Sequence, residues 1–88
     1  MVFVAGDLKG LIEIVARALA DQPDAVSVKE LERRGGTVFE LQVASTDLGR
    51  VIGRQGRTAA ALRTLLSSVA EADDRRVSLD IRDQSGRS

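Results

Sequence analysis

The beginning of the chain has the apolar and polar periodicity of an amphipathic helix. Its apolar residues recur at the spacing of one helix face, and they are Leu8, Leu11, Ile12, Val15, Ala18 and Leu19. Charged residues occupy the other side at every fourth position, and they are Lys9, Glu13 and Arg17. We predict a helix from a cap at Asp7 to about Ala20, which ends there because Pro23 cannot continue it.

A run of alternating residues followed by two glycines predicts the first half of a β-hairpin. Residues 26–33 begin with alternation and then change phase at Glu30 and Leu31. Such a change suits an edge strand that carries a bulge. Gly35 and Gly36 supply the glycine pair of a tight turn after it.

Two further runs alternate more cleanly and predict strands. Residues 37–44 have apolar side chains on one face, which are Phe39, Leu41 and Val43. Glu40 and Gln42 mark the other face of this strand as wet. Residues 77–82 alternate in the same way, and the apolar members are Val77, Leu79 and Ile81.

The stretch between those two strands has the pattern of two helices divided by glycines. Ser45 or Thr46 can cap a short helix over residues 47–52. Gly53-Arg54-Gln55-Gly56 interrupts the helical pattern, because glycine in a helix interior costs roughly 1 kcal/mol against alanine. The period returns over residues 57–72, where the apolar stripe is Leu62, Leu65, Leu66 and Val69.

The elements follow one another in the order α-β-β-α-α-β. The hairpin strands must be antiparallel, whereas a connection through two helices favours a parallel pair with the last strand. We predict an α+β fold with a three-stranded mixed sheet covered by helices on one face. The domain boundaries expected are an apolar leader at residues 1–6, with room for an extra strand at 2–5, a single domain at 7–83 and a flexible tail at 84–88.

Composition argues against several kinds of chemistry. The 88 residues include neither cysteine nor histidine, so thiolate metal sites, disulfides and the commonest general base are missing. No apolar run approaches the roughly 20 residues of a membrane span, and residues 1–5 are too short and uncharged for a signal peptide. We expect a cytoplasmic protein without a cofactor or metal. Phe3 and Phe39 are its only aromatic residues, which argues against base-stacking platforms.

The net charge of zero hides a basic segment. Between residues 47 and 66, four arginines stand against one acid, Asp47, which sums to +3 and leaves −3 for the rest of the chain. This asymmetry points to a confined contact with an anion rather than to a charge-driven coating of nucleic acid. A merely solvated helix face would explain the same charges.

The glycine interruption fits neither of two common phosphate-binding motifs. The dinucleotide fingerprint G-x-G-x-x-G is absent, and a P-loop needs four residues between its glycines followed by lysine. Only two residues separate Gly53 from Gly56. We interpret Gly53 as the left-handed end of one helix and Gly56 as the open start of the next. Such a corner lets a sugar–phosphate chain reach the peptide amides.

The side chains around this corner suit a nucleic acid. Arg54 and Gln55 should point outward from the tip, while Val51 and Ile52 could form an apolar floor for unstacked bases. A bare G-x-x-G also serves as a purely geometric turn, and that interpretation stays open. The order strand, short helix, G-x-x-G, long helix, strand is nevertheless the context of this loop in K-homology (KH) RNA-binding modules.

The segment "DLGRVIGRQGRTAAALRTLL" resembles the signature of the bacterial KhpA family of single-KH proteins. The likeness extends through "ARALADQP" and "VSLDIRD", and thus covers nearly all of residues 7–83. The resemblance implies a type II KH fold, RNA binding, homodimerisation and pairing with a KhpB (Jag-type) partner. It also implies RNA chaperone activity and a link to the control of the cell envelope, cell wall organisation and cell shape.

Carried onto this sequence, the family's motif predicts one continuous RNA-binding run, which consists of Arg50, Val51, Ile52, Gly53, Arg54, Gln55, Gly56, Arg57 and Thr58. The expected ligand is single-stranded RNA over about four nucleotides. One alternative is an interaction and dimerisation module whose glycine loop is only a turn. Another is an enzyme for a phosphorylated substrate, but Asp47 is the only nearby acid and no histidine could activate Ser45 or Thr58. We therefore predict no enzymatic activity and no small-molecule substrate.

Overall fold

The computed structural model describes residues 7–72 and 76–84. Its helices and strands are α1 (Asp7–Leu19), β1 (Ser27–Arg33), β2 (Gly36–Val43), α2 (Leu48–Ile52), α3 (Arg57–Ala72) and β3 (Val77–Asp83). Short 3₁₀ turns occupy Pro23–Ala25, Ser45–Asp47 and Arg54–Gly56. The predicted α+β fold and its element order are confirmed. The apolar leader with its extra strand, and the tail from residue 85 onward, lie outside the described residues.

The three strands form one sheet in the order β1-β2-β3. β1 and β2 pair antiparallel, with Val28 opposite Leu41. β2 and β3 pair parallel, with Phe39 opposite Leu79. The long connection through two helices therefore returns the chain to the same sheet beside β2, as its length predicted. β3 lies at one edge of the sheet, next to the helices that follow β2.

The core lies between one face of the sheet and the helices. Phe39, Leu41 and Val43 are fully buried at its centre. The helices contribute buried apolar residues from all three segments, which are Leu8, Ile12, Ala16, Val51, Ala59, Leu62 and Leu66. Glu40 and Gln42 lie on the opposite face of β2 and are partly exposed. The alternation along β2 thus specifies which face of the sheet is covered.

The expected bulge in β1 is wrong. Pairing with β2 runs without interruption from Ser27 opposite Gln42 to Arg33 opposite Gly36. Leu31 lies opposite Val38, which points away from the core, and both residues are partly buried. The apolar pattern therefore changes phase because Leu31 lies on the face of the sheet that points away from the core, and no residue is inserted.

The glycine pair of the hairpin serves two different purposes. The turn consists of Arg34 and Gly35, while Gly36 belongs to β2 and pairs with Arg33. Gly36 has φ +138°, and a Cβ atom there would lie 2.3 Å from the carbonyl oxygen of Arg76. That carbonyl accepts a hydrogen bond from the Thr37 amide at 2.9 Å. Gly36 is therefore required because the chain entering β3 packs against its backbone, which the turn interpretation did not anticipate.

Candidate nucleic-acid interface

The start of α2 is held by contacts from a distant segment rather than by a local cap. Neither Ser45 nor Thr46 provides the predicted side-chain cap. The Thr46 hydroxyl instead accepts a hydrogen bond from the side-chain amide of Gln22 at 3.2 Å. The helix is therefore positioned through its contact with the chain that follows α1.

Asp47 provides the strongest of these contacts. Its carboxylate is fully buried and accepts hydrogen bonds from the backbone amides of Asp21 at 3.0 Å and Gln22 at 2.9 Å. A buried carboxylate with two charge-assisted bonds is satisfied and holds its donors tightly. Arg50, one turn further on, forms an exposed ion pair with the Asp21 carboxylate at 3.2 Å. The segment after α1 is thereby connected to the helix that leads into the glycine corner.

Three of the four residues of the glycine corner have a positive φ. Gly53 has φ +83° and ψ 168°, a region open essentially to glycine alone. A Cβ atom there would lie 2.3 Å from the Thr58 hydroxyl. Gln55, at φ 55° and ψ 25°, has the left-handed helical conformation, whereas Gly53 has the positive φ predicted for it but an extended ψ. Gly56 has φ +73° with no atom within 4 Å of an added Cβ, so its conformation and not its surroundings calls for glycine.

The backbone of the corner is partly satisfied within itself. The Gly53 amide donates to the Gly49 carbonyl at 2.9 Å, and the Gly56 amide donates to the Gly53 carbonyl at 3.0 Å. Arg54 and Gln55 open the 3₁₀ turn, and the first amides of a helical turn have no partner within it. The amides suited to a phosphate are therefore those of the two residues between the glycines.

The predicted RNA-binding run divides into three groups by exposure. Arg50, Arg54, Gln55 and Arg57 are exposed, and Ile52, Gly53, Gly56 and Thr58 are partly exposed. Val51 is fully buried in the core. The expectation that Val51 forms a floor for bases is therefore wrong, because its side chain packs beneath α2. Ile52 remains as the apolar surface beside the corner.

Charged side chains surround the exposed tip. Arg54 and Gln55 both point to solvent, as predicted. The Arg57 guanidinium lies 3.4 Å from the Gln55 side-chain oxygen. Within the described ranges, the Arg54 guanidinium forms no ion pair. The tip therefore presents cationic donors that an incoming anion can use without first displacing an acid.

An open groove of about 290 Å³ leads away from the corner between α3 and the edge strand β3. It is lined by Ile52, Gly56, Ala59, Arg63, Asp80 and Ile81. The corner is thus not packed beneath other parts of the subunit. Arg63 donates through Nε to the Leu79 carbonyl at 3.3 Å, and Asp80 is paired with Arg82 at 2.7 Å.

The motif prediction omitted the groove residues on α3 and β3. Ala59 and Arg63 could have been predicted from the sequence, because they follow Gly56 by three and seven positions and so lie on the same helix face. Asp80 and Ile81 could not, because only the parallel pairing of β3 brings them beside α3.

The helices described in residues 7–72 and 76–84 include none with the length and apolar character that a membrane span requires.

Comparison with known proteins identifies the family of this chain. A family model described as the KH domain of KhpA/KhpB matches residues 9–81. The chain belongs to the KhpA/KhpB family of KH domains. This confirms the resemblance drawn from the glycine corner. The family is a non-enzymatic class, which confirms that the chain is not an enzyme.

Full-length relatives agree with the family assignment. The chain is 49% identical over 73 residues to the RNA-binding protein KhpA of Treponema pallidum, covering 83% of this chain and 91% of the relative. It is 45% identical over 71 residues to the RNA-binding protein KhpA of Caldanaerobacter subterraneus, covering 81% and 95%. The RNA-binding protein KhpA of Chlamydia trachomatis is 40% identical over 77 residues, covering 88% and 99%. The similarity to each of these relatives therefore covers more than four fifths of this chain.

Proposed function

We propose that this protein binds single-stranded RNA at the glycine corner and the adjoining α3–β3 groove. The observation that carries the proposal is the exposed tip at Arg54 and Gln55, which opens directly onto that groove. Membership of the KhpA/KhpB family supports it, as do relatives that are named RNA-binding proteins. The domain responsible is proposed to be residues 7–83, with flanking segments at 1–6 and 84–88.

We propose that different parts of the site bind the RNA backbone and the RNA bases. Arg54, Arg57 and the amides at the tip hold phosphates, because they are donors and point to solvent. Bases lie in the groove against Ile52 and the edge of β3, over about four nucleotides. Few charges take part, so a single copy should bind weakly and lose affinity as salt rises. Arg50 contributes less, because it is already paired with Asp21.

We further propose that the protein acts in the cytoplasm as a homodimer or together with a KhpB (Jag-type) partner. A second KH module would add avidity to a weak single site. Two exposed apolar side chains, Ile14 on α1 at 68% and Leu65 on α3 at 43%, are available for such contacts. RNA chaperone activity and a role in cell-envelope and cell-shape control are proposed from the family resemblance.

The experiment is a binding titration of the double variant Arg54→Asp/Gln55→Asp with a fluorescent single-stranded RNA at low salt. We expect binding to be lost while the circular dichroism spectrum is unchanged, because both side chains are exposed. Asp also tolerates the left-handed conformation of position 55. The matched control is Arg17→Asp/Ser68→Asp, which makes the same charge change on exposed helix surfaces.

Two outcomes would overturn the proposal. If the corner variant binds RNA as well as the parent, the corner is not the site. If the parent binds no single-stranded RNA while sedimentation shows a stable dimer, the chain is an interaction module whose glycine loop is only a turn.

A further inference from the structure

The groove beside the glycine corner does not end at its candidate RNA site. It continues along α3 and β3 as a second cleft of about 170 Å³, which shares Arg63 with the first. A third cleft of about 260 Å³ shares Ser67 and Val77 with the second, and Arg76 lies on its rim. From Ile81 to Val77, the edge strand extends this path by about 13 Å. The path thus runs from the corner to the opposite end of the sheet.

Arg76 stands where this path meets a fourth cleft. That cleft, of about 370 Å³, lies at the hairpin end of the sheet and is lined by Arg33, Val38, Arg76 and Ser78 among others. Arg76 is therefore common to the end of the groove and to a pocket that contains a second arginine. The surface combines cationic donors with the apolar side chains of Val38 and Val77, a combination suited to a nucleic-acid strand.

The position of Arg76 is set by its backbone, which leaves its side chain available. Its carbonyl accepts the Thr37 amide at 2.9 Å, and Gly36 packs directly against it. The side chain is exposed and forms no ion pair within residues 7–72 and 76–84. Arg63, midway along the path, is held by the Leu79 carbonyl at 3.3 Å. Two acids lie near these arginines: Glu71 lines the third cleft, and the Glu32 carboxylate accepts a hydrogen bond at 3.2 Å from the hydroxyl of Thr37, which lines the fourth. The Arg33 guanidinium donates to the Glu32 backbone carbonyl at 3.3 Å and forms no ion pair in the described ranges.

We propose that the hairpin end of the sheet is a second phosphate-binding site, centred on Arg76 and supported by Arg33, for RNA that continues beyond the nucleotides at the glycine corner. This inference rests on the proposed RNA binding and extends it to a longer strand. Continuity of the path favours the same RNA strand over a separate ligand. The strand runs from the corner past Arg63 and ends at Arg76.

The test compares a fluorescent tetranucleotide with the same tetranucleotide extended by a short run of abasic ribose-phosphate units at either end. Abasic units add phosphates without adding new registers for base binding. We expect extension at one end to tighten binding, because the groove leaves the corner in one direction. Arg76→Ala should weaken binding of that extended RNA about fivefold, as for one lost charge-assisted phosphate contact. It should leave the tetranucleotide unaffected.

Three further measurements sharpen the test. Arg76→Lys should retain most of the gain, because it keeps the charge. A plot of log affinity for the extended RNA against log salt concentration should have a slope that is smaller in magnitude by about 0.7 for Arg76→Ala. This is the value for one phosphate of a single strand. Arg17→Ala is the control, because it removes the same charge from α1 and lines none of these clefts.

The inference is overturned if both extensions tighten binding equally, if neither does, if Arg76→Ala binds the extended RNA as tightly as the parent, or if Arg17→Ala weakens binding as much as Arg76→Ala. Those results leave RNA binding at the corner intact as long as the tetranucleotide binds. Failure of the tetranucleotide and of both extended RNAs to bind rejects the proposed function, and this inference with it.

Discussion

The protein contains two glycine pairs surrounded by arginines, and they are built for different purposes. At the hairpin, Gly36 lies against the Arg76 carbonyl, so two backbones meet where a side chain would collide. At the glycine corner, a Cβ atom added to Gly53 would meet the Thr58 hydroxyl first and then the Thr58 Cβ and amide nitrogen, and Gly56 has open space around it. Gly36 allows the chain that enters β3 to pack against the start of β2, whereas Gly53 and Gly56 shape an exposed tip. Similar composition therefore conceals a packed backbone contact in one region and an exposed tip, the proposed RNA site, in the other.

The difference predicts where the two regions should tolerate change. Backbone packed on backbone cannot yield, because neither partner can rotate away. At Gly53 the nearest atom to an added Cβ is the Thr58 hydroxyl, which can change rotamer, although the Thr58 Cβ and amide nitrogen at 2.8 and 2.9 Å must also shift. At Gly56 the open space costs nothing beyond the conformation itself. Substitution should therefore destabilise the hairpin more than the corner.

The largest expected effect is at the hairpin. Gly36→Ala should lower the free energy of unfolding by about 4 kcal/mol, because a Cβ atom collides with a carbonyl at a positive φ. Urea denaturation measures it. Gly35→Ala is the matched control, since it has no neighbour within 4 Å, and its effect should stay within about 0.5 kcal/mol. Equal stability losses in Gly36→Ala and Gly35→Ala would contradict the inference that Gly36 is required by packing and Gly35 is not.

The next effect concerns the support of the corner. Asp47→Ala should cost about 3 kcal/mol, because two backbone amides lose a buried charged acceptor. Chemical denaturation gives the cost, and hydrogen exchange at Asp21 and Gln22 should increase. Asp24→Ala removes an exposed acid from the same stretch and should change stability little. Unchanged exchange at the two amides in Asp47→Ala would show that the carboxylate does not hold them.

A smaller effect should distinguish the two corner glycines. Gly53→Ala should cost about 2 to 3 kcal/mol, because it combines a glycine-only conformation with contact on Thr58. Gly56→Ala should cost about 1 to 2 kcal/mol, from backbone conformation alone. Thermal unfolding of both variants gives the order of the two stability losses. A larger loss for Gly56→Ala would contradict the stronger requirement for glycine inferred at position 53.

The smallest effect is a gain in stability. Gln55 is the one non-glycine residue with positive φ in the described ranges. Gln55→Gly should raise the free energy of unfolding by up to about 1 kcal/mol, because glycine adopts this conformation without strain. Arg54→Gly, at the neighbouring exposed position, should not stabilise. A stability loss in Gln55→Gly would indicate that the glutamine side chain contributes more through its contact with Arg57 than its backbone costs.

The sequence by itself determined the order of the elements, the antiparallel hairpin, the parallel pair and the position of the glycine corner. These follow from local periodicity, from glycine and proline, and from the length of a connection, all of which are readable along the chain. The resemblance to KhpA, carried by a continuous segment, was readable for the same reason. Arg54 and Gln55 were placed correctly at an exposed tip because a short corner leaves them no other direction.

Tertiary structure alone decided which contacts hold the corner and where the groove leads. Asp47 bonds to amides 26 and 25 residues away, and Gly36 meets Arg76 only after β3 has returned to the sheet. Val51 was assigned to the surface because periodicity in a five-residue helix does not define its buried side. Such pairings depend on how separate elements pack, since local patterns specify a face and long-range packing specifies its partner.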